Sequence, residues 1–227
     1  MKRSRVNAVL EHAEEMLARH GVVLPPFAYW SRAEFETEAA RGVRESRLGW
    51  DVTDYGQGDF DRMGLFLFTL RNGRLSDLRA GQGMCYAEKL LISRQDQLSP
   101  MHRHIVKAED IINRGGATLA IRLHGSDADG GFAEDRGGRV FCDGIARDFA
   151  AGEVIRLAPG ESVTLMPGDW HAFWGEGGDV LIGEVSTVND DETDNVFHPP
   201  LPRFSEIEED APAARMLVSD YPSLGRA

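Results

Sequence analysis

Hydrophobic residues in the first twenty positions recur at i, i+3, i+4, i+7 and i+11, the spacing of one face of an α-helix. They are Val6, Val9, Leu10, Ala13 and Leu17. A glycine and a pair of prolines follow, which is typical of a helix end. Ser31 and Glu34 have the spacing of a capping box and predict a second short helix through about Arg41. The stretch 48–61 is rich in glycine, aspartate and aromatic residues and is interpreted as a loop, so residues 1–60 are expected to form an N-terminal helical extension.

From about residue 63 the pattern changes to short β-prone runs separated by glycine, aspartate and proline. The runs are 65–70, 87–92, 118–123, 139–142, 153–157, 162–166, 171–174 and 180–187. Asn72-Gly73 closes the first run with a tight-hairpin signal. Short, evenly spaced strands favour a sandwich or jelly roll over βαβ units. We therefore predict an all-β-dominated single structural domain, with a barrel at 61–205 and an acidic C-terminal tail at 206–227 that wraps around it.

The charge balance narrows the choice of partners. The 227 residues include 25 Lys and Arg against 37 Asp and Glu, a net charge of −12, which argues against nucleic acid or an anionic membrane as a partner. No leader pattern and no apolar run of about 18 residues is found, so a cytoplasmic protein is expected. Cys85 and Cys142 are too far apart in sequence for a metal-binding pair and are expected to be buried free thiols, with a single disulfide as the alternative.

The strongest chemical signal is the segment from His102 to Glu109. On a strand, His102 and His104 project to the same face, and Glu109 can return to that cavity across a bend. His171 follows a Pro-Gly turn much later in the chain. Three imidazoles and one carboxylate suit a divalent transition metal such as Mn, Fe, Co, Ni or Zn, with positions left for a substrate. The other four histidines are interpreted as non-ligands.

Two stretches resemble the motifs of the cupin superfamily. The first reads His102-x-His104-x4-Glu109-x6-Gly116 and the second reads Pro167-Gly168-x-x-His171. The second departs from the usual Pro-x-Gly-x-x-His spacing and lacks the closing asparagine. The histidine placement is nevertheless that of the cupin pattern.

A narrower resemblance covers nearly the whole chain. The stretches 50–56, 109–116 and 183–191 are similar to those of the cupin-type D-lyxose ketol-isomerases. The resemblance implies a cupin jelly-roll β-barrel, a homodimer, and metal-dependent isomerisation of D-lyxose to D-xylulose and of D-mannose to D-fructose. It implies Mn²⁺ as the most expected metal, with Zn, Co, Fe or Ni possible in the same site.

An aldose–ketose isomerase needs a base near the C–H beside the carbonyl and a cationic donor near the sugar oxygens. Glu184 is the candidate base, because a charge inside an apolar strand is costly unless it is paired or functional. The alternative is that Glu184 is solvated on an edge strand. Lys89 is the candidate cation. The residues alone do not decide whether Lys89 faces outward or inward. The resemblance favours the inward orientation.

Contacts to the sugar are expected from the end of the chain. Asp194, with Asp190 as its competitor, is the candidate for hydrogen bonds to sugar hydroxyls, although a surface acidic run explains both equally well. Arg203 could reach the site from the tail. Trp174 is a candidate for the pocket wall, although an aromatic residue beside such a turn is as often part of a core. The other aromatic candidates are Trp50, Trp170 and Phe173.

Two other functions use the same ligand set. A cupin dioxygenase would hold iron or nickel with three histidines and a glutamate, but would need bound oxygen rather than an internal base. A non-enzymatic sugar-binding or sensory cupin needs neither. Buried Lys89 and Glu184 beside the metal would favour the isomerase, whereas a hydrophobic pocket without them would favour the dioxygenase or the sensor.

Overall fold

The computed structural model describes residues 1–224. Helix α1 (Arg3–Arg19) follows the predicted stripe and buries all five of its hydrophobic residues. The capping box at Ser31 is present, but helix α2 (Arg32–Phe35) is shorter than predicted. Thr37 has an extended backbone and donates its hydroxyl to the Glu34 carbonyl at 2.7 Å, which ends the helix.

The remaining helical elements are short. They are the 3₁₀ turns Pro26–Tyr29, Glu38–Ala40 and Val218–Ser223 and the helices α3 (Arg41–Glu45) and α4 (Leu75–Ala80). Across residues 1–224, no helix has the length and the apolar character that crossing a membrane requires.

Among residues 1–224, eleven strands form the rest of the fold. They are β1 (Gly49–Thr53), β2 (Leu65–Asn72), β3 (Tyr86–Ser93), β4 (Ser99–His104), β5 (Glu109–His124), β6 (Gly138–Cys142), β7 (Ile145–Phe149), β8 (Val154–Leu157), β9 (Ser162–Leu165), β10 (Trp170–Thr187) and β11 (Asn195–Phe197). Each predicted run is found within or overlapping a strand. The runs 171–174 and 180–187 belong to one strand, β10.

Two predictions about local structure are wrong. The stretch 48–61 contains β1, whose five residues are all buried. Asn72-Gly73 does not make a tight hairpin, because helix α4 intervenes before β3. Instead, the Asn72 amide is buried and exchanges hydrogen bonds of 2.9 Å with the backbone of Asn189.

The strands β5 and β10 are long enough to take part in two layers. One layer has the order β1-β2-β3-β10-β5-β9-β6-β7, and the other consists of β11, β4, β8 and the far halves of β10 and β5. Leu67 and Leu91 of the first layer share one core cluster with Ile121 and Phe173 of the second, so the layers pack face to face. This is the predicted all-β-dominated jelly roll, formed by a bent sheet that does not close completely.

The bend in β5 depends on a glycine. Gly116 has φ +95°, and a Cβ there would overlap the backbone oxygen of Asp179 on β10. Gly177 in the bulge of β10 also has a positive φ, +82°, but a Cβ there would meet nothing within 4 Å. Position 116 therefore requires glycine both for its positive φ and for the close approach of β10. Position 177 favours glycine for its positive φ alone.

We expect Gly116→Ala to lower the free energy of unfolding by about 2–4 kcal/mol, the sum of backbone strain and steric overlap. Gly177→Ala, with strain alone, is the matched control and should cost about 1–2 kcal/mol. Urea denaturation of both variants measures the difference. Equal losses would contradict the close packing at Gly116.

A second core covers the outer face of the first layer. Helix α1 packs there against Phe66 and Phe68 of β2 and Leu90 of β3. The central strands are thus buried on both faces, which explains their continuous apolar runs. Trp50 belongs to this outer core, where its indole donates to the Ala28 carbonyl at 2.6 Å, and so lies far from the predicted pocket wall.

The described part of the C-terminal tail runs back along helix α1. Arg3, which is 2% exposed, makes ion pairs with Glu209 at 2.6 Å and with Asp220 at 2.8 Å. Tail acids thus neutralise a cation of the N-terminal helix. The last three residues of the predicted tail lie outside the described residues.

The two thiols are less buried than predicted. Both are free within the described chain, but Cys85 is exposed, because it lies on the connection that leads into β3 rather than in a core. Cys142 at the end of β6 is half-buried, and this burial raises the pKa of its thiol.

Candidate metal centre

Three histidines converge inside the jelly roll. His102 and His104 alternate with Arg103 on β4 and share its inner face, and His171 is opposite His102 in the register of β4 and β10. One ligating atom from each lies within 4.8 Å of the others. Glu109, the first residue of β5, places Oε1 3.2 Å from Nε2 of both His104 and His171.

The backbone orients two of the three rings. Nδ1 of His102 donates to the Pro100 carbonyl at 2.8 Å, and Nδ1 of His171 donates to the Asp169 carbonyl at 3.0 Å. These hydrogen bonds leave Nε2 of each ring free to act as a ligand.

The unsatisfied atoms of the cluster fit a metal. Nε2 of His104, Nε2 of His171 and Oε1 of Glu109 are fully buried and find no hydrogen-bond partner among residues 1–224. Buried polar atoms without partners are costly, and here they face one another. Three imidazoles and a carboxylate are a ligand set for a divalent transition metal, which would satisfy these atoms.

The charge states of His102 and of Glu109 also suit metal binding. Burial lowers the pKa of His102 well below its usual value, and the His171 and His104 rings lower it further. Burial opposes the charged form of Glu109, but the Lys107 ammonium and the His104 ring outweigh it and hold the pKa of Glu109 well below its usual range. Neutral imidazole and ionised carboxylate are the forms that bind a metal.

Lys107 is a site residue that sequence reasoning missed. Its ammonium is buried, 2.6 Å from Oε2 of Glu109 and 2.8 Å from Oε1 of Glu184. These two carboxylates hold the pKa of Lys107 above its usual value against the effect of burial. The signal was available, because in extended chain a residue two before Glu109 points to the same side.

Lys89 and Glu184 face each other inside the cavity. They are directly paired in the register of β3 and β10, and Nζ of Lys89 lies 3.4 Å from Oε1 of Glu184. Both are buried, and Lys89 also donates to Oδ1 of Asn189 at 2.7 Å. Because β10 is paired on both sides at this point, by β3 and β5, the alternative of a solvated edge position for Glu184 does not hold.

A second charged group lies in the same cavity. Arg203 donates to Asp51 at 2.8 Å and lies 3.4 Å from Asp191, while its NH1 atom is buried without a partner among the described residues. Burial raises the pKa of Asp51 against the effect of Arg203. Burial also opposes ionisation of Asp191, but Arg203 and Lys89 outweigh it and lower its pKa.

One cavity joins these groups. Its polar lining is His102, His104, His171, Glu109, Lys107, Lys89, Glu184, Asp191, Asn195, Arg203, Tyr55 and Ser99. Its apolar lining is Leu65, Leu67, Leu91, Ile111, Phe173 and Phe197. The candidate metal ligands therefore share this space with Lys89, Glu184 and Arg203.

Several predicted sugar contacts lie elsewhere. Asp190 accepts hydrogen bonds from Glu192 and Thr193 in a turn. Asp194 accepts three backbone N–H groups. Asp191, between them, is the acid of this segment that lines the cavity.

The aromatic candidates for the pocket wall also lie in different places. Trp174 is half-buried on the opposite side of β10, where Arg122 lies 5.4 Å from its ring centre, and Trp170 packs against Phe132. Neither lines the cavity, because the alternation along β10 turns Phe173 inward with His171. Phe173 is the one predicted aromatic residue that faces the site.

A jelly roll with a buried histidine–glutamate cluster in its interior has the architecture of a cupin. Two solved structures share the fold. An L-ribose isomerase mutant from Acinetobacter sp. DL28 in complex with L-ribose matches with a TM-score of 0.57, covering 87% of this chain and 92% of that one at 13% identity. The L-ribose isomerase of Cellulomonas parahominis with L-psicose matches with a TM-score of 0.50, covering 78% and 96% at 16% identity.

Sequence comparison identifies the family. The D-lyxose isomerase family profile matches residues 1–221. A D-lyxose/D-mannose isomerase from Serratia proteamaculans is 49% identical over 226 residues, covering 97% of this chain and 98% of the relative. One from Escherichia coli O157:H7 is 46% identical over 230 residues, with the same coverage. The chain belongs to the D-lyxose isomerase family, and the expectation of an aldose–ketose isomerase is confirmed at this level.

Proposed function

We propose that this enzyme interconverts D-lyxose with D-xylulose, and D-mannose with D-fructose, by proton transfer between C1 and C2. The ligands of its divalent metal are His102, His104, Glu109 and His171, and Mn²⁺ is the expected ion. The observation that carries the proposal is the convergence of these four side chains in the cavity that Lys89 and Glu184 also line, where buried atoms of His104, Glu109 and His171 have no hydrogen-bond partner among residues 1–224. The family and the named relatives support the substrate class.

The side chains divide the chemistry between them. When bound, the metal would stabilise negative charge on the two sugar oxygens that exchange carbonyl and hydroxyl character. Glu184 accepts the proton from one carbon and returns it to the other, since its carboxylate lines the cavity. Lys89 and Lys107 contact that carboxylate and supply cationic donors beside the reacting oxygens.

The other charged group binds the rest of the sugar. Arg203 has a buried nitrogen with no partner in the described part of the chain, and Asp191 lines the cavity, so together they offer a donor and an acceptor to hydroxyl groups. Arg203 is already paired with Asp51 and Asp191, which suits a neutral sugar better than a phosphorylated one. The homodimer and the cytoplasmic location stay predictions from the sequence.

The buried charges also support an isomerase over a dioxygenase or a sensory cupin. Neither of those functions needs an internal base, yet Glu184 is 4% exposed and Lys89 is 2% exposed on the inner face of the sheet. Burying such a group is costly unless it is paired or used.

We expect the purified enzyme with added Mn²⁺ to convert D-lyxose to D-xylulose equally well with and without oxygen. The reaction is followed by ketose formation and an oxygen electrode, with EDTA-treated enzyme as the control. Ketose formation without oxygen uptake supports the proposal. Oxygen consumption coupled to turnover, or no ketose from either D-lyxose or D-mannose, would overturn it.

A further inference from the structure

In the segment that joins His104 to Glu109, three consecutive backbone N–H groups are bound by a single carboxylate. Oδ1 of Asp194 accepts the backbone N–H of Ile105 at 3.0 Å and of Val106 at 2.7 Å, and Oδ2 accepts that of Lys107 at 3.0 Å. We call residues 105–107 the metal loop. Asp194 is 6% exposed, so its carboxylate is largely shielded from solvent where it accepts these hydrogen bonds.

Packing contributes little to the position of the metal loop. The side chains of Ile105 and Val106 are 52% and 41% exposed. The third member, Lys107, is buried through its ammonium, which contacts Glu109 and Glu184. The backbone that sets the spacing between His104 and Glu109 is therefore fixed mainly by hydrogen bonds, and Asp194 accepts three of them.

The same carboxylate lies beside the one ring that the backbone does not orient. Pro100 and Asp169 supply carbonyl acceptors to Nδ1 of His102 and His171. Nδ1 of His104 has no hydrogen-bond partner among residues 1–224, and Oδ2 of Asp194 lies 3.8 Å from it. A ligating histidine commonly directs its second nitrogen to a carboxylate or a carbonyl.

We propose that Asp194 is a positioning residue of the metal centre, which holds the metal loop and the His104 ring in the geometry for metal binding. This differs from the expected contact between Asp194 and the sugar. It rests on the metal site proposed above. The sheet connects Asp194 to the ligands. Strand β11 follows Asp194 directly and pairs with β4, so the carboxylate is anchored to the strand that supplies two of the ligands.

The test compares Mn²⁺ affinity in wild type and Asp194→Asn by the EPR signal of free Mn²⁺. The amide retains one acceptor oxygen but directs an NH₂ group at a backbone N–H or at the His104 ring. We expect the dissociation constant to rise about 10–100-fold, the usual effect of losing an outer partner of a ligand. Circular dichroism and the melting temperature in EDTA check that the fold is retained.

Asp127→Asn is the matched control. Oδ1 of Asp127 accepts the backbone N–H of Asp129 and Gly131 in an exposed loop outside the cavity. Its Mn²⁺ affinity should equal that of wild type. If Asp194→Asn does not fold, Asp194→Glu, which keeps the charge but displaces the oxygens, is measured instead and should also bind Mn²⁺ at least about threefold more weakly.

The outcomes separate the two proposals. A folded Asp194→Asn, or the substitute Asp194→Glu, with wild-type Mn²⁺ affinity overturns the positioning role and leaves the metal site standing. A wild-type chain that binds no Mn²⁺, Co²⁺ or Zn²⁺ overturns the metal site itself. An equal loss of affinity in Asp127→Asn would also overturn the positioning role, because the effect would then not be local.

Discussion

Replacing Glu184 by glutamine should lower kcat for D-lyxose by about 100-fold or more, while metal content and fold stay unchanged. The amide is nearly isosteric and keeps an oxygen for the Lys107 ammonium, which lies 2.8 Å away in the wild type. It cannot accept a proton from carbon. Turnover is measured by ketose formation, and metal content by elemental analysis.

Glu88→Gln is the control, because Glu88 precedes Lys89 on β3, is half-buried, and pairs with Arg71 at 3.2 Å on the other side of the strand. It should retain full activity. In D₂O the wild type is expected to place some solvent deuterium in the product, because the proton can exchange with solvent while the carboxylate holds it, whereas a shifted hydride cannot. Full activity in Glu184→Gln would remove Glu184 from the mechanism, whereas solvent deuterium in the product would exclude a direct hydride shift.

The second large effect is expected at the metal. His104→Ala removes a ligand from β4 and should release both the ion and the activity, with turnover lowered on the order of 1,000-fold. The loss is not expected from a fold defect, because neither ring nitrogen of His104 has a hydrogen-bond partner among residues 1–224. Metal stoichiometry and turnover are measured on the same preparation.

His124→Ala serves as the comparison. His124 ends β5 and packs against Phe132, away from the cavity lining. This variant should keep its metal. A His104→Ala protein that retains wild-type metal stoichiometry would contradict the ligand assignment.

The candidate metal ligands were accessible from sequence because their signal is local. Alternation along a strand places His102 and His104 on one face, and the Pro-Gly turn marks His171. Glu184 was found because a lone charge interrupts an apolar run. Counting two residues back from Glu109 in the same alternation would also have placed Lys107 in the site. Counting three residues on from His171 would have placed Trp174 on the opposite face of the strand.

Other features depend on partners that are distant in the chain. β1 was hidden because Asp51 interrupts its apolar pattern, and the arginine that compensates it is at position 203. Among the three aspartates that follow β10, the choice of Asp191 depends on the shape of the turn, in which Asp190 and Asp194 bind backbone groups. Residue type alone does not distinguish them.

The chemistry of this enzyme is spread along almost the entire polypeptide. Lys89 contacts Asn189 across 100 positions, and Arg203 contacts Asp51 across 152. Contacts of such separation close large loops, which slows folding relative to proteins rich in local contacts. During synthesis on the ribosome, the third histidine emerges only with β10, and the arginine of the cavity follows later still. A nascent chain is therefore expected to complete the proposed metal site late, after most of the jelly roll has been translated.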